Sequence, residues 1–225
     1  KGGPGTVSAP ALKVVHSAPQ GTIGLRSAVT VTFNQAMIPL AALSDLRKLP
    51  APLLVEPKLE GKHRWLGTQT LSLEVTSRLP FSTAYAARVP SGTTAESGKV
   101  LEAEHRWTFE TPRLEIAGAV PSRWESHAVP STPIALLFNQ KVDPSKIHAA
   151  LRVTGPGGAA VKVRAVPEAE WAKAGPAGVP ATQWEKGRVV VGKPEAALAK
   201  GTSYRVSLGA GRKAGEGPLP TTAEV

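Results

Sequence analysis

Cysteine is absent from all 225 residues. A disulfide-stapled scaffold, a thiolate zinc site and a cysteine nucleophile are therefore excluded within this stretch. No apolar run approaches the roughly 18 residues that a membrane-spanning helix needs. Aromatic residues make up only 5% of the chain, so the five Trp carry a large share of the packing and are expected in the cores. The opening Lys1-Gly2-Gly3-Pro4-Gly5 has neither an initiating Met nor a hydrophobic signal core. Residues 1–11 are read as a leader or linker within a longer polypeptide.

Turn-forming residues are what the chain has in quantity. Its 22 Gly and 21 Pro fall singly or in small clusters between short apolar runs, with no collagen-like period. Long helices are disfavoured by that punctuation, and an all-β fold is expected. The net charge is +10, yet it is evenly spread: 12 basic and 8 acidic residues through residue 112, then 15 and 9. No five-residue block of Lys and Arg occurs, whereas a nucleic-acid binder would cluster its charge with interleaved aromatics. Scattered basic residues on strands are a solvated face and a protection of sheet edges.

Period-two alternation marks strands at Val29-Thr30-Val31-Thr32-Phe33, Leu71-Ser72-Leu73-Glu74-Val75, Ala84-Tyr85-Ala86-Ala87-Arg88-Val89 and Trp107-Thr108-Phe109-Glu110-Thr111. The second half repeats these features in order. Ile134 to Gln140 parallels Val29 to Gln35, both ending in Phe-Asn-Gln, at an offset of 105 residues from Asn34 to Asn139. Leu79-Pro80-Phe81-Ser82-Thr83-Ala84-Tyr85 matches Leu198-Ala199-Lys200-Gly201-Thr202-Ser203-Tyr204, now at an offset of 119 from Tyr85 to Tyr204. The extra residues of the second copy are placed in 167–180, a Pro, Ala and Gly-rich stretch read as a surface loop. A period near 100 residues fits tandem immunoglobulin-like β-sandwich domains. The expected organisation is residues 12–112 as one sandwich and 113–225 as a second, joined through Thr111-Pro112-Arg113-Leu114. The first copy ends in a Trp-x-Phe strand; the second reaches only Ala223-Glu224-Val225, so its last strand is expected to be missing or just begun.

Candidate sites are sparse. Two His-Arg-Trp triplets, His63-Arg64-Trp65 and His105-Arg106-Trp107, would be a metal pair if the imidazoles met. Alternation instead places each Trp inward and each Arg outward on a strand, with no third ligand at a suitable spacing. His16, His127 and His148 are isolated. Asn34 and Asn139 are expected to bond the backbone of the loop that follows them. Asp143-Pro144-Ser145-Lys146 reads as an N-cap with Pro at the first helical position. The glycines of residues 209–217 precede Pro218 and Pro220, which forbid the helix that a dinucleotide fingerprint requires. Glu168 and Glu170 are expected to be solvated, and no Gly-x-Ser-x-Gly elbow occurs. No catalytic, cofactor-binding or metal-binding residue is assigned, and no enzymatic activity is expected.

The order Pro19-Gln20-Gly21, Phe33-Asn34-Gln35, Leu79-Pro80-x-x-Thr83-x-Tyr85, Gly98-x-x-Leu101, Trp107-x-Phe109-x-Thr111-Pro112 resembles the bacterial immunoglobulin-like domains found near the start of bacterial alpha-2-macroglobulin proteins. Leu59 to Thr68, Phe138 to Pro144 and Glu216 to Thr222 carry the resemblance to that branch, which spans roughly residues 12–222. The resemblance implies non-enzymatic scaffold domains of a periplasmic or envelope-anchored protease trap. In that family a protease cleaves a bait segment, and many members capture it through a Cys–Gln thioester. With no Cys here, this segment holds no such thioester. Implied partners are other domains of the same protein and, for the whole protein, target proteases. No nucleic acid is expected, and membrane contact only through an anchor outside this segment. The alternative is an immunoglobulin-like spacer or binding module of a bacterial surface adhesion or carbohydrate-associated protein.

Overall fold

The structure is a computed structural model, and it describes residues 10–40, 49–122, 128–172 and 185–225. The chain divides into two compact units, Lys1–Pro112 and Arg113–Val225. Each is an all-β sandwich of the immunoglobulin-like type, built from sheets that are antiparallel except for the β2–β8 pair of the first unit and closed over an apolar centre.

In the first unit one sheet has the order β1 (Val14–Ala18), β3 (Val29–Phe33), β6 (Thr70–Val75) and β5 (Gly61–Leu66). The facing sheet runs β2 (Gly21–Thr22), β8 (His105–Glu110), β7 (Ala84–Val89) and β4 (Leu54–Glu56), with β2 parallel to β8. Alternation explains the layers. Val29, Val31 and Phe33 of β3 are fully buried, while Thr30 and Thr32 between them are half-buried. Val29 pairs with Leu73 and Val31 with Leu71, which continues the same apolar face into β6. From the other sheet Tyr85, Ala87 and Val89 of β7 meet Trp107 and Phe109 of β8. The Tyr85 and Phe109 rings stack at 5.2 Å. Desolvation pushes the Tyr85 phenol up, and a hydrogen bond with the Thr83 side chain works against it.

The second unit repeats half of this plan. Its larger sheet runs β9 (Ile116–Val120), β10 (Ile134–Phe138), β13 (Val189–Pro194) and β12 (Val163–Val166). That order is the one found in β1, β3, β6 and β5. Among the described residues the second sheet contains two strands, β11 (Leu151–Thr154) and β14 (Arg205–Leu208). Ile134, Leu136, Phe138 and Val190 pack against Val153 and Leu208 across the sandwich. Before β11 comes helix α1 (Pro144–Ala150), capped by Asp143 with Pro144 in its first turn, as the sequence predicts.

Of the 167–180 stretch, read as a surface loop, only residues 167–172 are described, and they depart from a loop. Glu168–Trp171 forms a short helix, α2, and Trp171 packs beside Ala135, Leu137, Val166, Val189 and Val191. Strand β10 is apolar on both faces, so its outer face needs a cover that the Thr-lined face of β3 does not. The remainder of that stretch, with Trp184, lies outside the described residues, as do Trp124 and His127. Phe138 is 1% exposed. Phe138→Ala is expected to cost about 3–5 kcal/mol, read as a lowered urea midpoint for the second unit against an unchanged transition for the first.

Candidate functional site

The two Phe-Asn-Gln motifs do the same work in both units. At the end of β3, the Asn34 backbone N–H donates to Lys13 O at 3.0 Å. Its side chain accepts the Lys13 N–H at 2.8 Å and donates to Ala11 O at 2.9 Å. Asn139 follows β10 in the same way. Its backbone N–H donates to Glu115 O at 3.2 Å, its Oδ1 accepts the Glu115 N–H at 3.1 Å, and its Nδ2 donates to Arg113 O at 2.7 Å. The expectation that these side chains bond the following loop is therefore corrected: they bond the segment that opens each unit. In an extended chain, the C=O of one residue and the N–H two residues later lie on one edge. A carboxamide offers a donor and an acceptor at matching separation. Between the clamped residues, Leu12 and Leu114 turn into the cores at 3% and 1% exposure.

Gln35 extends the clamp. Its Nε2 donates to Pro10 O at 2.6 Å, and its Oε1 accepts from Ser97 Oγ at 2.7 Å. Ser97 was not singled out by the sequence, because its partner lies 62 residues away. The Leu-Pro-x-x-Thr-x-Tyr motif is structural as well. Thr83 Oγ1 donates to Phe81 O at 2.9 Å, and its counterpart Thr202 donates to Lys200 O at 3.1 Å.

The His-Arg-Trp triplets lie on different sheets, β5 and β8. Trp65 and Trp107 point inward, and Arg64 and Arg106 are exposed. His63 Nε2 is bonded to Leu53 O at 3.1 Å and His105 Nε2 to Ser17 Oγ at 3.2 Å. His16 is exposed on β1, and His148 is half-buried in α1. Among the described residues, no three His, Cys, Asp or Glu side chains group in a way that could hold a metal ion. Exposed Glu170 lies 3.9 Å from Arg164, a surface pair of small energetic weight. Arg88 likewise bridges Glu104 at 3.1 Å and Glu56 at 3.7 Å across neighbouring strands.

The glycine-rich excursion after β14 is latched onto itself. Gly211 N–H donates to Thr221 O at 2.9 Å, Thr221 N–H to Arg212 O at 2.8 Å, and Arg212 N–H to Thr221 Oγ1 at 3.0 Å. Gly215 N–H donates to Lys141 O at 3.1 Å. These amides are the ones a phosphate loop would have to leave open.

No protein-family model matches the chain. A segment of 81 residues, 34% of the chain, is 30% identical to circularly permutated Ras protein 2 of Dictyostelium discoideum and covers 2% of that protein. Among solved structures, an L,D-transpeptidase from Mycobacterium tuberculosis H37Rv superposes with a TM-score of 0.31 at 14% identity, over 69% of this chain and 63% of that one. The chain thus spans a small fraction of the curated relative and under two thirds of that structure. The LD transpeptidase LdtMt1 in complex with imipenem gives 0.32 at 12% identity, over 89% and 76% of the two chains. Superpositions at this level say nothing about activity.

Asn34→Ala and Asn139→Ala each remove two side-chain hydrogen bonds. Each is expected to destabilise its own unit by about 1–3 kcal/mol, seen in chemical denaturation as one shifted transition per variant. Asp143 gives a pH-dependent test. Its carboxyl is held below the ordinary carboxylate range, chiefly by the Ser145 hydroxyl at 2.6 Å, with the Lys146 and Ser145 backbone N–H groups and the Lys146 charge adding to it. A depressed folded-state pKa means the cap is complete above the unfolded value of about 3.9 and is lost as pH falls through the lower folded value. The protection factors of the α1 amides, taken against intrinsic exchange at each pH, should therefore fall on acidification below pH ~4, and Asp143→Asn should remove that dependence while keeping the cap.

Proposed function

We propose that this chain is a non-enzymatic scaffold segment of a bacterial alpha-2-macroglobulin-like protease trap, acting in the periplasm or cell envelope. The reading rests on the resemblance of its repeated motifs, and one structural observation supports the scaffold part of it. The polar side chains that recur between the units, Asn34 with Asn139 and Thr83 with Thr202, are spent on tying their own domain together. Among the described residues, the conspicuous titratable groups lie on separate strands and on α1 and do not converge on one atom. A mechanical role asks for this allocation: rigid sandwiches that position other domains, with cleavage and capture located elsewhere in the polypeptide. Target proteases would then be partners of the whole protein and not of this segment alone.

Two measurements test the reading. The isolated 225-residue chain should leave the rate of a broad-specificity endopeptidase unchanged, whereas the complete gene product should be cleaved at one segment and retain the protease. A complete product without further macroglobulin-like domains would overturn the proposal. Saturable binding of the isolated chain on a glycan array would favour a carbohydrate-associated module instead.

A further inference from the structure

The division between the two compact units falls at one peptide bond, Pro112–Arg113. On each side of that bond the backbone is held by its own unit. In the first unit Thr111 is fully buried. Its N–H donates to Thr83 O at 2.9 Å, its hydroxyl donates to Pro80 O at 2.7 Å, and the same hydroxyl accepts the Thr83 N–H at 3.0 Å. The Pro112 carbonyl then accepts the Ser82 N–H at 3.0 Å. Ser82 is fully buried with φ 51°, a left-handed conformation that a residue with a Cβ rarely adopts. Such a conformation persists only where the surroundings impose it, so this donor is firmly held.

In the second unit the hold begins at the very next residue. Asn139 takes Arg113 O at 2.7 Å and the Glu115 N–H at 3.1 Å, with Leu114 buried between them. The Arg113 side chain is tied separately, its Nη1 donating to Pro220 O at 2.7 Å, through a flexible stem that leaves φ and ψ free. A peptide group is planar. Holding Pro112 O, where the ring already fixes φ, therefore carries the Arg113 N and Cα with the first unit. Holding Arg113 O and the Glu115 N–H carries the Arg113 C and Cα with the second. The two held planes share one atom, the Arg113 Cα.

We propose that Arg113 is a one-residue swivel: the two sandwiches reorient only through its φ and ψ, and the steric limits of a residue with a Cβ set the range. Positive φ is almost closed to such a residue, so half of the torsional map is unavailable to the motion. The junction holds no slack on either side that could absorb a turn of one unit. This follows from the anchors alone and does not rest on the protease-trap reading.

Double electron–electron resonance on the 225-residue chain tests this, since no native cysteine competes for the labels. Spin labels go on Lys62→Cys in β5 and Arg152→Cys in β11, both exposed, and the width of the distance distribution is read. A second pair, Lys62→Cys with Arg164→Cys in β12, views the motion from the other sheet of the second unit. Arg113→Ala keeps the Cβ limits and loses only the tie to Pro220, so the width should stay at the parent value. Arg113→Gly opens positive φ and should widen the distribution by about 1.5-fold or more. Two Gly inserted between Pro112 and Arg113 restore slack and should widen it at least about twofold. The proposal is overturned if the Ala and Gly variants give equal widths, or if the insertion leaves the width unchanged. It is equally overturned if the parent is already as broad as the insertion variant.

Discussion

Each sandwich begins with an extended segment that has a strand on one side only, and its backbone groups must find partners before the core can close. A single carboxamide meets that need. By holding Ala11 O and Lys13 N–H, Asn34 fixes the one residue between them, Leu12, pointing inward. Asn139 does the same for Leu114 through Arg113 O and Glu115 N–H. Because Asn34 directly follows Phe33, and Phe33 pairs with Val14, the clamp also fixes where β1 starts on β3, ahead of a register shift between Val14 and His16. The pairing of Phe138 with Ile116 is set likewise in the second unit. A slip of one residue in the clamped segment would turn Leu12 or Leu114 outward. The clamp excludes that slip with three hydrogen bonds.

The units diverge where the clamp has no influence. The first closes its second sheet with β8 and gathers its apolar residues into one continuous core. Among the described residues the second has two strands in that sheet, and its buried residues divide into a central cluster and a smaller one on the outer face of β10. The outer cluster follows from composition: Ala135 and Leu137 stand where the first unit has Thr30 and Thr32. An apolar outer face must be covered, and Trp171 on α2 supplies the cover. The insertion and the apolar outer face are thus two sides of one packing requirement.

Much of this was legible in the sequence because it is local. Alternation in Val29 to Phe33 and Ala84 to Val89 marks strands whose bounds the structure reproduces. The Asp143-Pro144 cap is equally local, since its acceptor and donors lie within three residues. What escaped depends on distance along the chain. The partners of Asn34 lie more than 20 residues upstream, so the short-range habit of Asn to bond the next turn pointed the wrong way. Ser97 was invisible for the same reason. Strand β2 joins the sheet opposite β1 after only a short break at Pro19, a switch that tertiary pairing with β8 decides. In 167–180, the Pro and Gly content hid a helix of four residues whose purpose is the face beneath it.

The distribution of polar chemistry bears on what such a molecule can offer to others. Side chains in the recurring motifs are engaged internally, and the glycine-rich excursion is latched by Thr221. Charge is scattered and its ion pairs are solvent-exposed, so it carries little directional information. Backbone is the remaining currency of recognition. In the first unit the β7 edge is already taken by β8, and in the second the equivalent edge carries one bridge, at Leu208 and Val225.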